Sequence, residues 1–427
     1  MKMIESTSAL LGERYVRFLH SCGLPVYVFP KKMSSTFAFF AVRYGSCDDV
    51  IARQCKEKTL PDGVAHFLEH KLFESEDGTD TFARFAALGA DPNAYTAFDR
   101  TAYFFSCTDR FEESLAELIH FVTNPAFTAE SVKREQGIIA EEIRMCDDSP
   151  WERGFQRLLE ALYQRHPIRK SVCGTVASIK KITPELLFEC YRHFYTPENM
   201  VLVVCGDVSP ESVAQVVDEA LPKDFCGRAA PKQENAEPYN VKHERVHERM
   251  KVSKPIFHIG VKDRAIPTDP AERLRRELAM NMLDEIVFSR SAHFYNDLFE
   301  RGILSPNYSS GYSAGRDFGF YVIAGEADEP EAVLAAVQNH LRHLSRTGIS
   351  DEDFERCRRV LYADEICSYD STEEIASRLL SCALDGVELF STPEVLQSIT
   401  KQEIESLIND FFASDAFALS VVSSDKN

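Results

Sequence analysis

The sequence has no apolar run approaching the roughly 18 residues that a membrane-spanning helix needs. Its 12 cysteines stand singly, from Cys22, Cys47 and Cys55 onward, and none forms a C-x-x-C pair. In a large chain that spacing reads as reduced, mostly buried thiols and excludes a disulfide framework. No P-loop and no G-x-G-x-x-G is present, so a nucleotide cofactor has no support. Basic residues are the minority: 48 Lys+Arg against 67 Asp+Glu give a net charge of −19. Such a surface repels phosphate backbones and anionic lipid, so neither nucleic acid nor membrane is an expected partner. Glu5 and Glu13 lie where a secretion signal needs a cationic end and an apolar core, and the expected location is cytoplasmic.

The rest is ordinary globular material. Hydrophobic residues make up 44% and charged residues 27% of 427 residues, enough chain for two domains. Residues 26–29 (VYVF) and 36–44 (TFAFFAVRY) read as strands, and 63–73 as a helix. Residues 93–107 read as a hairpin, 111–121 and 129–145 as helices, and 200–205 (MVLVVC) as a buried strand. Residues 223–240 are polar and contain Pro and Gly, the composition of a linker. Beyond it the order recurs, with a strand at 256–261, a helix at 271–288, two strands within 307–325 and a late strand at 417–422. The expected fold is α+β, with two homologous mixed α/β domains at 1–222 and 241–427 arising by internal duplication. Each is expected to be an antiparallel-rich sheet with helices packed on it.

The sharpest motif is His66-Phe67-Leu68-Glu69-His70. On a helix, residues i and i+4 share a face, so the two imidazoles stand one turn apart, as adjacent ligands of a tetrahedral Zn²⁺ require. Glu69 projects beside such a metal, where a carboxylate can take the proton of a zinc-bound water. H-x-x-E-H is the inverted form of the H-E-x-x-H zinc motif. Composition puts its chance occurrence at about 3 in 100 such chains. A helix whose histidines serve only core or surface hydrogen bonds is therefore the weaker alternative.

A third ligand must come from elsewhere. Within 134–145 (REQGIIAEEIRM), Glu135, Ile138, Ile139 and Glu142 fall on one helical stripe, with Glu141 rotated off it. A carboxylate on an apolar stripe is costly to bury unless positive charge meets it. Alone the stripe reads equally as a salt-bridged edge; paired with the histidine helix, it makes Glu142 the third ligand. Asn93-Ala94-Tyr95-Thr96 reads equally as a plain edge strand or as one that binds an extended peptide by sheet addition. His166, His193, His243 and His247 have no carboxylates at ligand spacing and read as loop or surface residues.

At these residues the chain resembles the pitrilysin/insulinase (M16) family of inverzincin metallopeptidases, most closely its bacterial YmfH-like subgroup. Residues 63–70 look like the family's catalytic helix, and Asn93, Ala94, Tyr95 and Thr96, with Thr101 and Tyr103 following, like its substrate-binding edge strand. Glu135 and Glu142 match its downstream glutamate pair, which puts Glu142 at the zinc-ligand position and Glu135 at the supporting catalytic one. The resemblance implies a half-clamshell of two domains, a catalytic zinc-binding first domain and a non-catalytic second, and cleavage of extended peptides. The 72 residues from His70 to Glu142 are slightly few for the family, and a trimmed loop at 74–80 accounts for the difference.

One departure bears on partners. The family's second domain offers an Arg and a Tyr, about seven residues apart, that hold the substrate carbonyl. Arg301 and Tyr308 have that spacing and are the substrate-binding candidates, yet a second alignment puts Leu298 and Ser305 in those slots. In paired systems of this family a zinc-free partner supplies the missing pair. The expectation is therefore a zinc endopeptidase acting in a homo- or heterodimer with an M16-like subunit that lacks the zinc motif. Its rivals are a metal hydrolase acting on something other than peptides and a zinc-binding scaffold subunit without activity.

Overall fold

The structure is a computed structural model that describes residues 2–53, 56–74, 80–228, 236–412 and 417–424. Residues 75–79 of the expected trimmed loop and 229–235 of the expected linker lie outside the described residues. The chain forms two compact units, one of Met1–Ile143, Ser171–Gln233 and Ile366–Phe390, the other of Arg144–Lys170, Glu234–Glu365 and Ser391–Asn427.

The first unit carries β1 (Met3–Ser8), β2 (Glu13–Leu19), β3 (Pro25–Pro30), β4 (Thr36–Val42), β5 (Val50–Arg53), β6 (Lys56–Thr59), β7 (Ala90–Thr96), β8 (Thr101–Cys107) and β9 (Met200–Gly206). Seven of them form a sheet in the order β1-β2-β3-β9-β4-β8-β7, while β5 and β6 pair separately. The second unit carries β10 (Arg245–Arg249), β11 (Ile256–Lys262), β12 (Tyr308–Ala314), β13 (Gly319–Glu326) and β14 (Phe417–Ser423), in the order β10-β14-β11-β13-β12. In the first sheet β3 runs parallel to β9, then β4, β8 and β7 follow antiparallel. In the second, β10 runs parallel to β14, then β11, β13 and β12 follow antiparallel. The same five-strand path is thus used twice, as the internal duplication read in the sequence requires, and β1 and β2 extend only the first copy.

The continuous boundaries at 222 and 241 differ from this partition, and the reason is burial. Central strands β4, β9 and β11 are buried along their whole length, so both faces of each sheet need a cover. Along β4, Ala38, Phe40 and Val42 enter one core with Phe67 and Leu68 of the helix Val64–Leu72. Phe37, Phe39 and Ala41 point the other way, into a core with Ile375, Leu379 and Leu380 of the helix Thr372–Asp385. Arg43 ties that helix down by donating to the Ala383 and Leu384 carbonyls at 3.0 and 3.2 Å. In the second unit the early helix Pro150–Leu162 lies on β11 so closely that a Cβ on Gly260 would sit 2.8 Å from Leu158. Each sheet is therefore closed by a helix from the other half of the chain.

The described end of the expected linker is anchored. The Glu237 carboxylate accepts from the backbone N–H groups of Gln164, Arg165 and His166 at 2.8, 2.8 and 2.9 Å, and from Lys262 Nζ at 2.8 Å. Burial works against its charge, but these donors outweigh burial and hold its carboxyl below the usual range.

Replacing Leu379 by Ala should cost about 2–5 kcal/mol of stability, as buried Leu→Ala changes do. Amide-exchange protection should fall in β4 and β9 and persist in β11; an equal loss in β11 would contradict the assignment of this helix to the first sheet.

Candidate metal centre

The histidine helix is fixed at its N-terminus by two glycines. Gly63 precedes Val64 with φ +89°, and a Cβ there would lie 2.4 Å from the Cys173 carbonyl oxygen. Gly174, at φ +73°, would place a Cβ 2.3 Å from the Asp62 carbonyl oxygen, which also accepts from Ser178 Oγ at 2.7 Å. Two stretches of backbone meet here, with room for no side chain. The inner face of the helix enters the first core through Phe67 and Leu68, which leaves His66, Glu69 and His70 to face β7 and the helix Ala129–Asp148.

On that second helix Glu135 and Glu142 stand two turns apart and both reach the histidines. Glu142 Oε1 lies 3.4 Å from His66 Nε2, and Oε2 lies 3.6 Å from His70 Nε2. The two imidazole centroids are 4.6 Å apart. His66, His70 and Glu142 each bring a donor atom to within 4.8 Å of the others, the spacing of ligands around one ion. Glu135 Oε1 takes a hydrogen bond from His70 Nδ1 at 2.9 Å, which frees Nε2 for the ligand position. Burial lowers the His70 pKa, but the Glu135 hydrogen bond and the nearby Glu69, Glu135 and Glu142 charges outweigh it and raise the pKa overall. The His66 imidazole beside Glu142 holds that carboxyl below its usual range. Ile138 departs from the expected buried stripe: it is 51% exposed, while Glu135 and Ile139 are buried.

Two contacts escaped the sequence reading. Thr96 Oγ1 donates to Glu69 Oε2 at 2.5 Å, so the hydroxyl at the end of β7 orients the buried candidate base. Strand alternation puts Thr96 on the inner face with Ala90, Pro92 and Ala94, but alternation alone does not reveal what it meets. The Cys173 thiol donates to Glu142 Oε1 at 3.9 Å, a contact 31 residues distant in sequence. Asn93, Ala94 and Tyr95 lie on β7, one of the two edge strands of the sheet. The Ala94 N–H is taken up by Asn93 Oδ1 at 2.8 Å.

The second-unit candidates fare differently. Arg301 is exposed and paired with Asp297 at 2.8 Å. Tyr308 is buried, and its hydroxyl donates to the Phe288 carbonyl at 2.9 Å. That bond is made inside the second core, where Tyr308 packs with Phe288 and Tyr321. Leu298 is also buried.

Residues 54–176 match the family described as Insulinase (Peptidase family M16), and residues 181–361 match the Peptidase M16 inactive domain. The uncharacterized zinc protease YmfH of Bacillus subtilis is 37% identical over 400 residues, covering 92% of this chain and 93% of the relative. The chain belongs to the M16 peptidase family. The crystal structure of an M16-like peptidase from Alicyclobacillus acidocaldarius superposes on this M16 chain with a TM-score of 0.93 at 32% identity, covering 98% of this chain and all of that one. More distant is the mitochondrial-processing peptidase subunit beta of Dictyostelium discoideum, 24% identical over 328 residues, which cover 73% of this chain and 69% of that protein.

The three donors would fit zinc: two imidazole nitrogens and one carboxylate, with a further carboxylate behind His70. His66 Nδ1 is buried and has no hydrogen-bond partner among the described residues, so the support is confined to His70. Replacing Glu135 by Gln should therefore weaken zinc binding about 10–100-fold in competition with a chelator. An unchanged affinity would remove Glu135 from the ligand shell's support.

Proposed function

We propose that this chain is a zinc endopeptidase that hydrolyses extended peptides. The carrying observation is that two imidazoles and Glu142 converge within one ion's reach while buried Glu69 stands beside them, held by Thr96. His66, His70 and Glu142 would hold the metal. When bound, zinc lowers the pKa of water and polarises a carbonyl. Glu69 takes the proton of the attacking water and returns it to the leaving amine. Thr96 holds the Glu69 carboxylate toward the reacting atoms and Glu135 keeps His70 in the required tautomer. The outer edge of β7, from Asn93 to Thr96, lines up the peptide by main-chain hydrogen bonds.

A partner subunit belongs to this reading. With the Tyr308 hydroxyl occupied and Arg301 paired to Asp297, the groups that hold the substrate carbonyl come from a second M16-like chain. The mitochondrial relative is itself named a subunit. The second reading is a zinc-binding scaffold subunit without activity. The match of residues 181–361 to an inactive domain is compatible with both readings, and the scaffold is opposed by the intact Glu69–Thr96 pair, for which it has no use.

Hydrolysis of a quenched peptide mixture separates the two. Glu69→Gln should retain zinc and lose turnover on the order of 100- to 10,000-fold, the contribution of a general base. Equal activity in wild type and variant would remove Glu69 from that role. Zinc bound without cleavage, even when a zinc-motif-lacking relative is added, would favour the scaffold.

A further inference from the structure

Apart from the metal centre, the first unit holds a second reactive constellation, in the turn between β2 and β3. Half-buried Cys22 has its Sγ 3.0 Å from His20 Nδ1. The backbone N–H of Cys22 donates to that same nitrogen at 3.3 Å. A ring nitrogen that accepts an N–H carries a lone pair, which leaves the ring proton on Nε2. Nε2 in turn donates to Asp218 Oδ1 at 3.2 Å. Thiol, base and orienting carboxylate thus stand in one chain of hydrogen bonds, with the tautomer set for proton removal from sulfur.

A second thiol is at hand. Cys226 is exposed and lies near enough to act electrostatically on Cys22. Glu198 touches both loops: a Cβ on Gly23 would lie 3.4 Å from its Cγ, and Arg228 Nε lies 3.9 Å from its Oε1. Burial pushes the Cys22 thiol up, so the resting group is the thiol and a base beside it has a use.

We propose that Cys22 is a reversible thiol–disulfide exchange site, activated by His20 and Asp218 and resolved by Cys226. Cys22 sulfur attacks one sulfur of a small-molecule disulfide while its proton passes to His20 Nδ1. The disulfide bond breaks, and one thiol leaves with that proton. Cys226 then attacks the Cys22 sulfur, gives up its own proton and releases the second thiol. The small disulfide is reduced by two electrons to two thiols, and the cysteine pair is oxidised by two electrons to a Cys22–Cys226 bond. That bond would tie the start of the 223–240 stretch to the β2–β3 turn. None of these residues belongs to the metal centre, so the inference stands apart from the proposed function.

The test is incubation of the full chain with oxidised glutathione, followed by peptide mass mapping at timed intervals. Cys22 should react well ahead of Cys367, which is exposed and serves as the internal control. Cys226→Ser should stop the reaction at Cys22 carrying glutathione. His20→Gln should slow uptake at Cys22 on the order of 100-fold, a general base's contribution. Asp218→Asn, on the exposed rim, should slow it by about 10-fold, with thermal unfolding of both variants checked alongside. Cys22 reacting no faster than Cys367, or at an unchanged rate in folded His20→Gln or Asp218→Asn, would overturn the proposal. A glutathione adduct that persists on wild-type Cys22 would overturn the role of Cys226.

Discussion

Two histidines one helical turn apart can share an ion only if their helix is held at a fixed height against a carboxylate on another helix. That hold is backbone against backbone. Gly63 and Gly174 both take left-handed conformations, and each leaves no room for a Cβ beside the facing carbonyl. The contact sets where Val64–Leu72 begins and so where His66 and His70 point. It also brings Cys173, the neighbour of Gly174, to Glu142. A side chain at either glycine would separate the two stretches and move the imidazoles away from the third donor. The chemistry therefore depends on a pair of turns that contribute no ligand themselves.

The sheet beneath the site imposes the second constraint. β7 and β8 bring Thr96 and Thr101 to the end of the hairpin, where Thr96 holds Glu69 and Thr101 Oγ1 donates to the Tyr44 carbonyl at 2.9 Å. Their neighbour β4 is apolar on both faces, and its outer side chains are covered by Thr372–Asp385, a helix from late in the chain. The second unit repeats the arrangement with Pro150–Leu162 on β11. A duplicated path whose two copies each need an outer cover is satisfied by exchange of one helix per copy.

Local signals made the strands and the candidate metal-binding residues legible before the structure. Residues 36–44 read as a strand because aromatic and small apolar residues run almost without a break; such a run also fits burial of both faces, but it does not reveal which helix supplies the second cover. The candidates were readable because each helix carries its own local spacing: four residues separate His66 from His70, and seven separate the proposed support Glu135 from Glu142, whereas the meeting of the two helices is tertiary. Thr96 was read as part of a peptide-binding strand, yet its hydroxyl is engaged with Glu69, a contact made by tertiary packing. Cys173 carries no local signal. Tyr308 shows the other side of this: its spacing from Arg301 is a local signal, while its burial in the second core and its bond to the Phe288 carbonyl are not.

The central claim is that His66, His70 and Glu142 form one zinc site. X-ray absorption at the zinc edge on the purified chain, with metal counted per chain, tests it most directly because Cys173 lies so close to Glu142. The account predicts one zinc with nitrogen and oxygen neighbours at about 2.0–2.2 Å and no sulfur, and loss of the metal from His66→Ala. A sulfur neighbour at about 2.3 Å, or one zinc per chain retained in His66→Ala, would contradict it.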